Sequence, residues 1–198
     1  MKSIKHVALA AIAAAAIFAV PALAKDSMMK SLEGLKGPDF DHTFVSHMIE
    51  HHQQGVMMAE MAVQRAQRSE VKQFAQKTIQ EQQKEIEALE AMHGGRSSGH
   101  ASSHSQSGAL SANSDTSHHG KGSDHQAMKH EMMTKLERAQ GPEFDRQFVE
   151  TMTQHHQMAV EMAKLAERRA SAPEVKSFAE KTVTHQQEGI KQLKRLKQ

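Results

Sequence analysis

Apolar residues recur at helical spacing along two consecutive segments in the first half of the chain. At about 100° per residue, one face of the first segment consists of Phe44, Met48, Gly55, Ala59 and Ala62. One face of the second segment consists of Val71, Phe74, Ala75, Thr78, Ile79, Gln82, Ile86 and Leu89. Because no alternation of apolar and polar residues competes with these faces, the pattern predicts two long helices and no strands.

The second half of the chain repeats the first half without a gap. The segment Gly37–Asp41 aligns with Gly141–Asp145, and the register holds as far as Leu89 and Leu193. The alignment also extends upstream, so each repeat is expected to begin with a short lead-in helix. A repeat of this length predicts two copies of one structural unit.

Local signals predict where the helices of each repeat begin and end. A Gly-Pro pair, starting at Gly37 and at Gly141, marks the beginning of the first long helix. In the first repeat we expect that helix to end near Arg68. At the second long helix of the second repeat, Ser171 and Glu174 have the spacing of a capping box. Each repeat is therefore predicted to be an αα-hairpin with a tight connection.

Two such hairpins can bury their apolar faces by pairing around an approximate twofold axis. The predicted fold class is therefore all-α, with the two repeated hairpins forming a four-helix bundle. Pairing of each hairpin with one from another chain, in a dimer or a higher oligomer, is the alternative that the sequence leaves open.

Histidine and methionine, with 15 and 14 copies, carry the most specific chemical signal. Each repeat has two adjacent His residues in its first long helix, and Met residues lie at helical spacing from them. The candidate metal ligands are Met48, His51, His52, Met58, Met152, His155, His156 and Met162. Four imidazoles facing one small core need partners for their ring nitrogens, and metal coordination provides several at once. The alternative is a core in which His and Met only pack.

The type of ligand indicates the type of metal. Thioether and imidazole together select Cu(I), and by the same softness Ag(I), whereas Cu(II) can also use imidazoles and carboxylates. The chain has no Cys, and Ca²⁺ and Mg²⁺ prefer oxygen ligands. Polar residues of the second long helices are candidates for hydrogen bonds to the imidazoles: Thr78, Gln82, Gln83, Thr182, Gln186 and Gln187.

Enzymatic chemistry finds little support in the sequence. A di-iron carboxylate bundle needs Glu-x-x-His pairs on two helices. The chain contains one such pair, Glu90 and His93, and the second repeat has Lys194 and Lys197 in its place. Because no cysteine is present and no serine stands in a strand-turn-helix elbow, a nucleophile is not indicated either. We expect a binding protein, not an enzyme.

The beginning of the chain predicts export. Lys2 and Lys5 precede an apolar run, and Ala22–Ala24 has the small-x-small pattern of a cleavage site. Cleavage near Ala24 would release the protein into the periplasm without a membrane span, and an uncleaved anchor is the alternative. Removing two lysines from the 25 Lys and Arg residues leaves as many as the 23 Asp and Glu residues. A basic surface for nucleic acid is therefore not indicated.

A segment rich in His, Gly and Ser separates the two repeats. It lacks periodicity and is predicted to be a flexible linker. Its repeated His residues allow two interpretations, a solvated tether or a tract that captures metal ions. The predicted organisation is a signal peptide at 1–24, a first helical repeat at 25–92, the linker at 93–126 and a second helical repeat at 127–198.

The residues around the His pairs resemble a known family. The pattern Phe-Asp-x-x-Phe-Val-x-x-Met-Ile-x-His-His-x-x-Gly-Val-x-Met-Ala begins at Phe40, and a close copy of it runs from Phe144 to Ala163. It resembles the signature of the bacterial domain-of-unknown-function family numbered three hundred and five. The resemblance covers nearly all of the chain beyond the signal peptide except the linker, and it implies a ferritin-like helical bundle.

The same resemblance implies a function, because the family includes a periplasmic copper-binding protein that confers copper resistance. It implies copper binding by the Met and His residues named above. We therefore expect a periplasmic protein that contributes to metal tolerance by sequestering Cu(I) or transferring it to other copper-handling proteins. The alternative is a structural or stress-related envelope bundle that acts through a partner surface and binds no metal.

Overall fold

The computed structural model describes residues 29–97 and 132–197, and the regular structure in both ranges is helical. No strand occurs within these two ranges, as the apolar pattern predicts. The predicted signal peptide at 1–24 and most of the predicted linker at 93–126 lie outside the described residues.

Each repeat consists of a short helix followed by two long ones. In the first repeat these are α1 (29–33), α2 (Gly37–Arg65) and α3 (Ser69–Ser97). In the second repeat they are α4 (132–138), α5 (Pro142–Arg169) and α6 (Pro173–Leu196). The predicted all-α fold of two hairpins with lead-in helices is confirmed.

Glycine allows the sharp turn between each short helix and the long helix that follows. Gly37 has φ +59° and Gly141 has φ +58°, in the left-handed region that other residues adopt only with strain. The proline that follows each glycine stands in the first turn of the helix, where a missing N–H costs nothing. The Gly-Pro signal in the sequence therefore marks the helix start correctly.

The two hairpins meet mainly along α2 and α5, which run antiparallel. α2 packs against α3 and α5 against α6 to form the hairpins. Arg65, at the end of α2, lies 4.8 Å from the ring centroid of Phe144, near the start of α5. At the other end of the pair, Arg169 of α5 donates a hydrogen bond to the carbonyl oxygen of Glu33, just before α2. The two first helices therefore form the centre of the bundle.

A carboxylate from the second repeat caps a helix of the first. Asp145 of α5 accepts hydrogen bonds from the backbone N–H of Gln67 at 2.9 Å and of Arg68 at 2.8 Å. These two amides precede α3 and have no partner within that helix. The connection of the first hairpin is thus completed by the second hairpin, and α2 ends at Arg65, earlier than the sequence suggested.

The reciprocal contact caps α6. Asp41 of α2 accepts hydrogen bonds from the backbone N–H of Ser171 at 3.0 Å and of Ala172 at 2.9 Å. The Ser171 hydroxyl also donates to this carboxylate. The predicted capping box of Ser171 and Glu174 is wrong, because the N-cap residue is Ala172 and no side chain of the local segment caps the helix. Asp41, from a distant part of the chain, takes that role.

Large apolar side chains fill the core on either side of a polar centre. The largest buried ones are Phe40, Phe44, Phe144, Phe148, Leu32, Leu89, Leu136 and Leu193. Between them, the middle of α2 and α5 contributes the two His pairs. Among residues 29–97 and 132–197, no helix combines the length and the apolar character that crossing a bilayer requires.

Candidate metal centre

The structure buries the whole set of predicted metal ligands. Each side chain is at most 4% exposed, and six of the eight are completely buried. The set consists of Met48, His51, His52, Met58, Met152, His155, His156 and Met162. α2 and α5 contribute four of these side chains each, and the two halves of the set lie in one core.

His51 and His155 pair across the twofold axis of the bundle. The Nε2 atom of His51 lies 3.1 Å from the carbonyl oxygen of His155. The Nε2 atom of His155 lies 2.9 Å from the carbonyl oxygen of His51. Their rings stack with centroids 3.7 Å apart and planes 7° apart. This reciprocal contact holds α2 against α5 in the middle of the bundle.

This contact fixes the tautomer of both imidazoles. A carbonyl oxygen only accepts hydrogen bonds, so Nε2 must carry the proton in His51 and in His155. In a neutral ring the Nδ1 atom then holds a bare lone pair. Neither Nδ1 has a hydrogen-bond partner in the part of the chain that the structure describes, and both are buried. A buried acceptor atom without a partner destabilises the fold unless a hydrogen-bond donor or a metal ion pairs with it.

Burial also keeps these rings neutral. Removal from water lowers the pKa of His155 to about 3. Burial and the neighbouring His155 and His52 lower the pKa of His51 well below its usual value. Burial, with the same two neighbours, lowers the pKa of His156 as well. Since metals bind the neutral imidazole, the core holds these side chains in the form that a ligand needs.

Glu85 orients His52 and was not predicted from the sequence. The Nε2 atom of His52 lies 2.5 Å from Glu85 Oε2, and the Nδ1 atom of His185 lies 3.0 Å from Glu85 Oε1. Burial would raise the pKa of Glu85, but the hydrogen bonds with His52 and His185 outweigh it and lower the pKa. A carboxylate behind an imidazole is the arrangement that orients histidine ligands in metal sites.

The second repeat lacks this carboxylate. Gly189 occupies the position that Glu85 has in the first repeat. A Cβ atom added at Gly189 would lie 2.5 Å from Cδ2 of His156, so the imidazole occupies the space that a side chain would need. The Nδ1 atoms of His52 and His156 are both buried without a partner among the described residues. The two His pairs therefore occupy equivalent positions, but the carboxylate of Glu85 beside His52 has no counterpart beside His156.

Three of the six polar residues on α3 and α6 that were expected to support the imidazoles make other hydrogen bonds, or none within the part of the chain that the structure describes. The hydroxyl groups of Thr78 and Thr182 donate to carbonyl oxygens one turn earlier in their own helices, each at 2.9 Å. Gln82 is buried, and neither atom of its amide has a partner within the described ranges. A Cβ atom at Gly55 would collide with this amide and lie 2.7 Å from His155 Cε1. Gly55 thus makes room for the Gln82 amide beside the imidazoles.

The thioethers are arranged less symmetrically than the imidazoles. Met48 lies one turn before His51, and Met158 lies one turn after His155. Since α2 and α5 run antiparallel, Met48 and Met158 lie at the same level of the bundle. On the other side of the axis the matching positions are Met152 and Gln54, so the second thioether is missing there. One end of the imidazole cluster is therefore richer in sulfur.

A metal in this core would depend on sulfur as well as nitrogen. Within residues 29–97 and 132–197, no three His, Asp or Glu side chains are placed to hold one ion together. The orphaned Nδ1 atoms and the buried thioethers nevertheless form a soft donor set, which fits Cu(I) better than ions that prefer oxygen.

Fold and core together define a small helical-bundle protein with a buried cluster of histidine and methionine. The chain belongs to the family described as Domain of unknown function (DUF305), whose model matches residues 8–93 and 96–197. This confirms the resemblance in the sequence. No curated protein matches the chain.

Solved structures of similar proteins share the fold. The Cu(I)-bound form of CopM is 30% identical, with a TM-score of 0.57, and the match covers 78% of this chain and 93% of that one. The Cu(II)-bound form of CopM is 29% identical, with a TM-score of 0.59, and covers 79% and 95%. A DUF305 fragment from Deinococcus radiodurans is 24% identical, with a TM-score of 0.62, and covers 79% and 93%.

Proposed function

We propose that this DUF305 protein binds copper in the core between α2 and α5, with Cu(I) as the preferred ion. The observation that carries the proposal is the set of four buried imidazoles whose Nδ1 atoms lack partners among the described residues. Buried thioethers flank them, and imidazole with thioether favours Cu(I) and Ag(I). The similar CopM protein has been crystallised with Cu(I), Cu(II) and Ag, which supports this choice of ions.

The chain's own residues have separate tasks in this proposal. His51 and His155 hold each other through Nε2, which leaves both Nδ1 lone pairs available. Met48 and Met152, each one turn before a His pair, provide sulfur on the same helical face. Bound copper would satisfy the orphaned ring nitrogens and so stabilise the bundle. Cu(II), which accepts imidazole and carboxylate ligands, is a second cargo under the same proposal.

The role that follows is that of a non-enzymatic copper buffer. The surplus of soft, buried donor atoms favours storage or transfer of the ion over catalysis. The predicted signal peptide at 1–24 supports a periplasmic location for this role. There the protein would sequester Cu(I) or pass it to other copper-handling proteins, and so contribute to metal tolerance.

The test is a Cu(I) titration against a competing chelator. The variant replaces Met48, Met58, Met152 and Met162 by Leu, which has nearly the same volume and should preserve the fold. We expect the variant to bind Cu(I) at least about tenfold more weakly, which corresponds to about 1.4 kcal/mol, and to keep its helical circular dichroism.

The control is Met57→Leu, because Met57 is 39% exposed and lies outside the core. It should bind Cu(I) like the wild type. If the four-Leu variant also binds like the wild type, the thioethers are not ligands and the proposed preference for Cu(I) in this core is wrong. A wild type that binds no Cu(I) would make the core a packing cluster, as in a structural bundle that acts through a partner surface.

A further inference from the structure

A small cleft between α3 and α6 lies beside the imidazole core and is not symmetric. Its polar rim includes Glu81 and Glu85 from α3 and His185 from α6. Gly189 lines the α6 side, where the His156 imidazole occupies the space that a side chain would need. The space enclosed by these side chains is about the size of one water molecule or one metal ion.

Glu85 and His185 lie close enough together to bind one cation after a small shift. The Nδ1 atom of His185 lies 3.0 Å from Glu85 Oε1. Two ligand atoms that each bind an ion at about 2.0–2.2 Å lie about 3 Å apart at the right angle typical of Cu(II), and about 3.4 Å apart at the tetrahedral angle of Zn(II). A cation can therefore take the place of the proton that these atoms share. His185 is 57% exposed, so this place is reachable from solvent.

The floor of the cleft adds a buried polar atom that lacks a partner in the described part of the chain. Gln186 is only 4% exposed, and its Oε1 atom has no hydrogen-bond partner among residues 29–97 and 132–197. His156 also lines the cleft, but its Nδ1 atom belongs to the donor set of the core and is not counted toward this site. Buried polar atoms without partners are uncommon, and a bound ion or its water is one way to satisfy them.

We propose that the cleft between α3 and α6 is a second metal site, separate from the sulfur-rich core, for a borderline divalent cation such as Zn(II) or Cu(II). Glu85 and His185 bind the ion directly. Glu81 lies one turn from Glu85 on the same face of α3, but its charge is balanced by Lys77, which also lines the cleft and whose Nζ lies 3.5 Å from Glu81 Oε1. The Gln186 oxygen lies beneath. Nitrogen and oxygen ligands suit such cations, whereas Cu(I) is better served by the thioethers of the core.

The pair of Glu85 and His185 has no counterpart at the equivalent positions of the two repeats. In the repeat register, Glu85 corresponds to Gly189, and His185 corresponds to Glu81. The contact that would mirror Glu85 with His185 is therefore a carboxylate beside a glycine, which supplies no imidazole. The cleft accordingly holds one carboxylate–imidazole pair, and one ion is expected.

The test is a titration of the full-length mature chain with Zn(II), followed by nuclear magnetic resonance. The observed signals are the imidazole nitrogens of His185 and the side-chain amide of Gln186, which report this cleft even if other histidines also bind zinc. We expect both signals to shift and saturate in the wild type. In Glu85→Gln, saturation should require at least about tenfold more Zn(II).

Two further variants complete the test. His185→Gln removes a ligand without touching the core and should weaken the Gln186 response to the same degree, and it carries the test if Glu85→Gln fails to fold. His42→Gln, at an exposed histidine away from the cleft, should respond like the wild type. Unmoved His185 and Gln186 signals in the wild type, or equal zinc requirements in all variants, would overturn the proposal.

The outcome is independent of the copper test. The four-Leu variant of the core should keep its zinc response, because no thioether takes part in the cleft. If the wild type shows the zinc response but does not bind Cu(I), the proposed function is refuted and the cleft site is retained. If the wild type binds Cu(I) but shows no zinc response, the cleft site is refuted and the proposed function is retained.

Discussion

Acid should destabilise the metal-free protein well before its carboxylates protonate. The perturbation is a decrease from pH 8 to pH 5.5 in the presence of a chelator. The pKa of His155 is lowered from 6.5 to about 3 in the folded state, so the folded protein binds fewer protons than the unfolded chain. Stability contributed by the neutral imidazole is complete above pH 6.5 and is lost as the pH falls below it.

The size of the effect follows from this shift. One extra proton on the unfolded chain changes the free energy of unfolding by about 1.4 kcal/mol per pH unit. At pH 5.5, one unit below the pKa of the unfolded chain, the low pKa of His155 should therefore lower the free energy of unfolding by about 1.4 kcal/mol relative to pH 8. The pKa values of His51 and His156 are lowered in the same direction. These two groups therefore add to the loss of stability that His155 causes in acid.

Urea unfolding followed by far-ultraviolet circular dichroism measures this effect. The helical signal is the natural probe, because the chain has no Trp or Tyr. The lowered pKa of Glu85 acts only below the usual carboxyl range and does not contribute in this window. His155→Gln should lower the pH slope by about one proton, whereas His42→Gln, at an exposed position, should leave it unchanged. A wild-type slope near zero between pH 6.5 and 5.5 would refute the reasoning.

Two further substitutions test the packing around the core and between the hairpins. Gly55→Ala places a methyl group against the Gln82 amide and should cost about 1–3 kcal/mol in urea unfolding; Gly34→Ala, which meets nothing within 4 Å, is the control, and equal stabilities would contradict the close fit. Asp145→Ala leaves two amides before α3 without their acceptor and should cost about 2–4 kcal/mol. Asp39→Ala, at an exposed first-turn carboxylate, should cost less than about 1 kcal/mol, and a similar loss in both variants would count against the cap.

The sequence was sufficient for the helices because their information is local. The apolar faces, the Gly-Pro starts and the internal repeat each depend on residues close together in the chain or in exact register. The same repeat predicted that His51 and His155 would meet, since a twofold arrangement brings equivalent positions together. These features required no knowledge of distant contacts.

What the sequence could not show depends on partners far apart in the chain. Nothing near Ser171 indicates that its amide is capped by Asp41, so a local capping box was inferred instead. Glu85 looked like one of many charged residues on a solvated helix. The packing of α2 on α3 brings it to His52, and the packing of α3 on α6 brings it to His185. The difference between Glu85 and Gly189 was visible in the alignment, but its meaning required the structure.

The exchanged carboxylate caps have an evolutionary consequence. Asp41 completes the second hairpin and Asp145 completes the first, so neither hairpin is self-sufficient. Two identical copies of one hairpin could exchange the same contacts as a homodimer, and joining them in one chain preserves that geometry. Fusion also allows the sequences of the two hairpins to differ. A homodimer would have Glu at the position of Glu85 and Gly189 in both subunits or Gly in both, because its subunits are identical. A single chain can carry one of each, and so gain an asymmetric metal cleft on a symmetric scaffold.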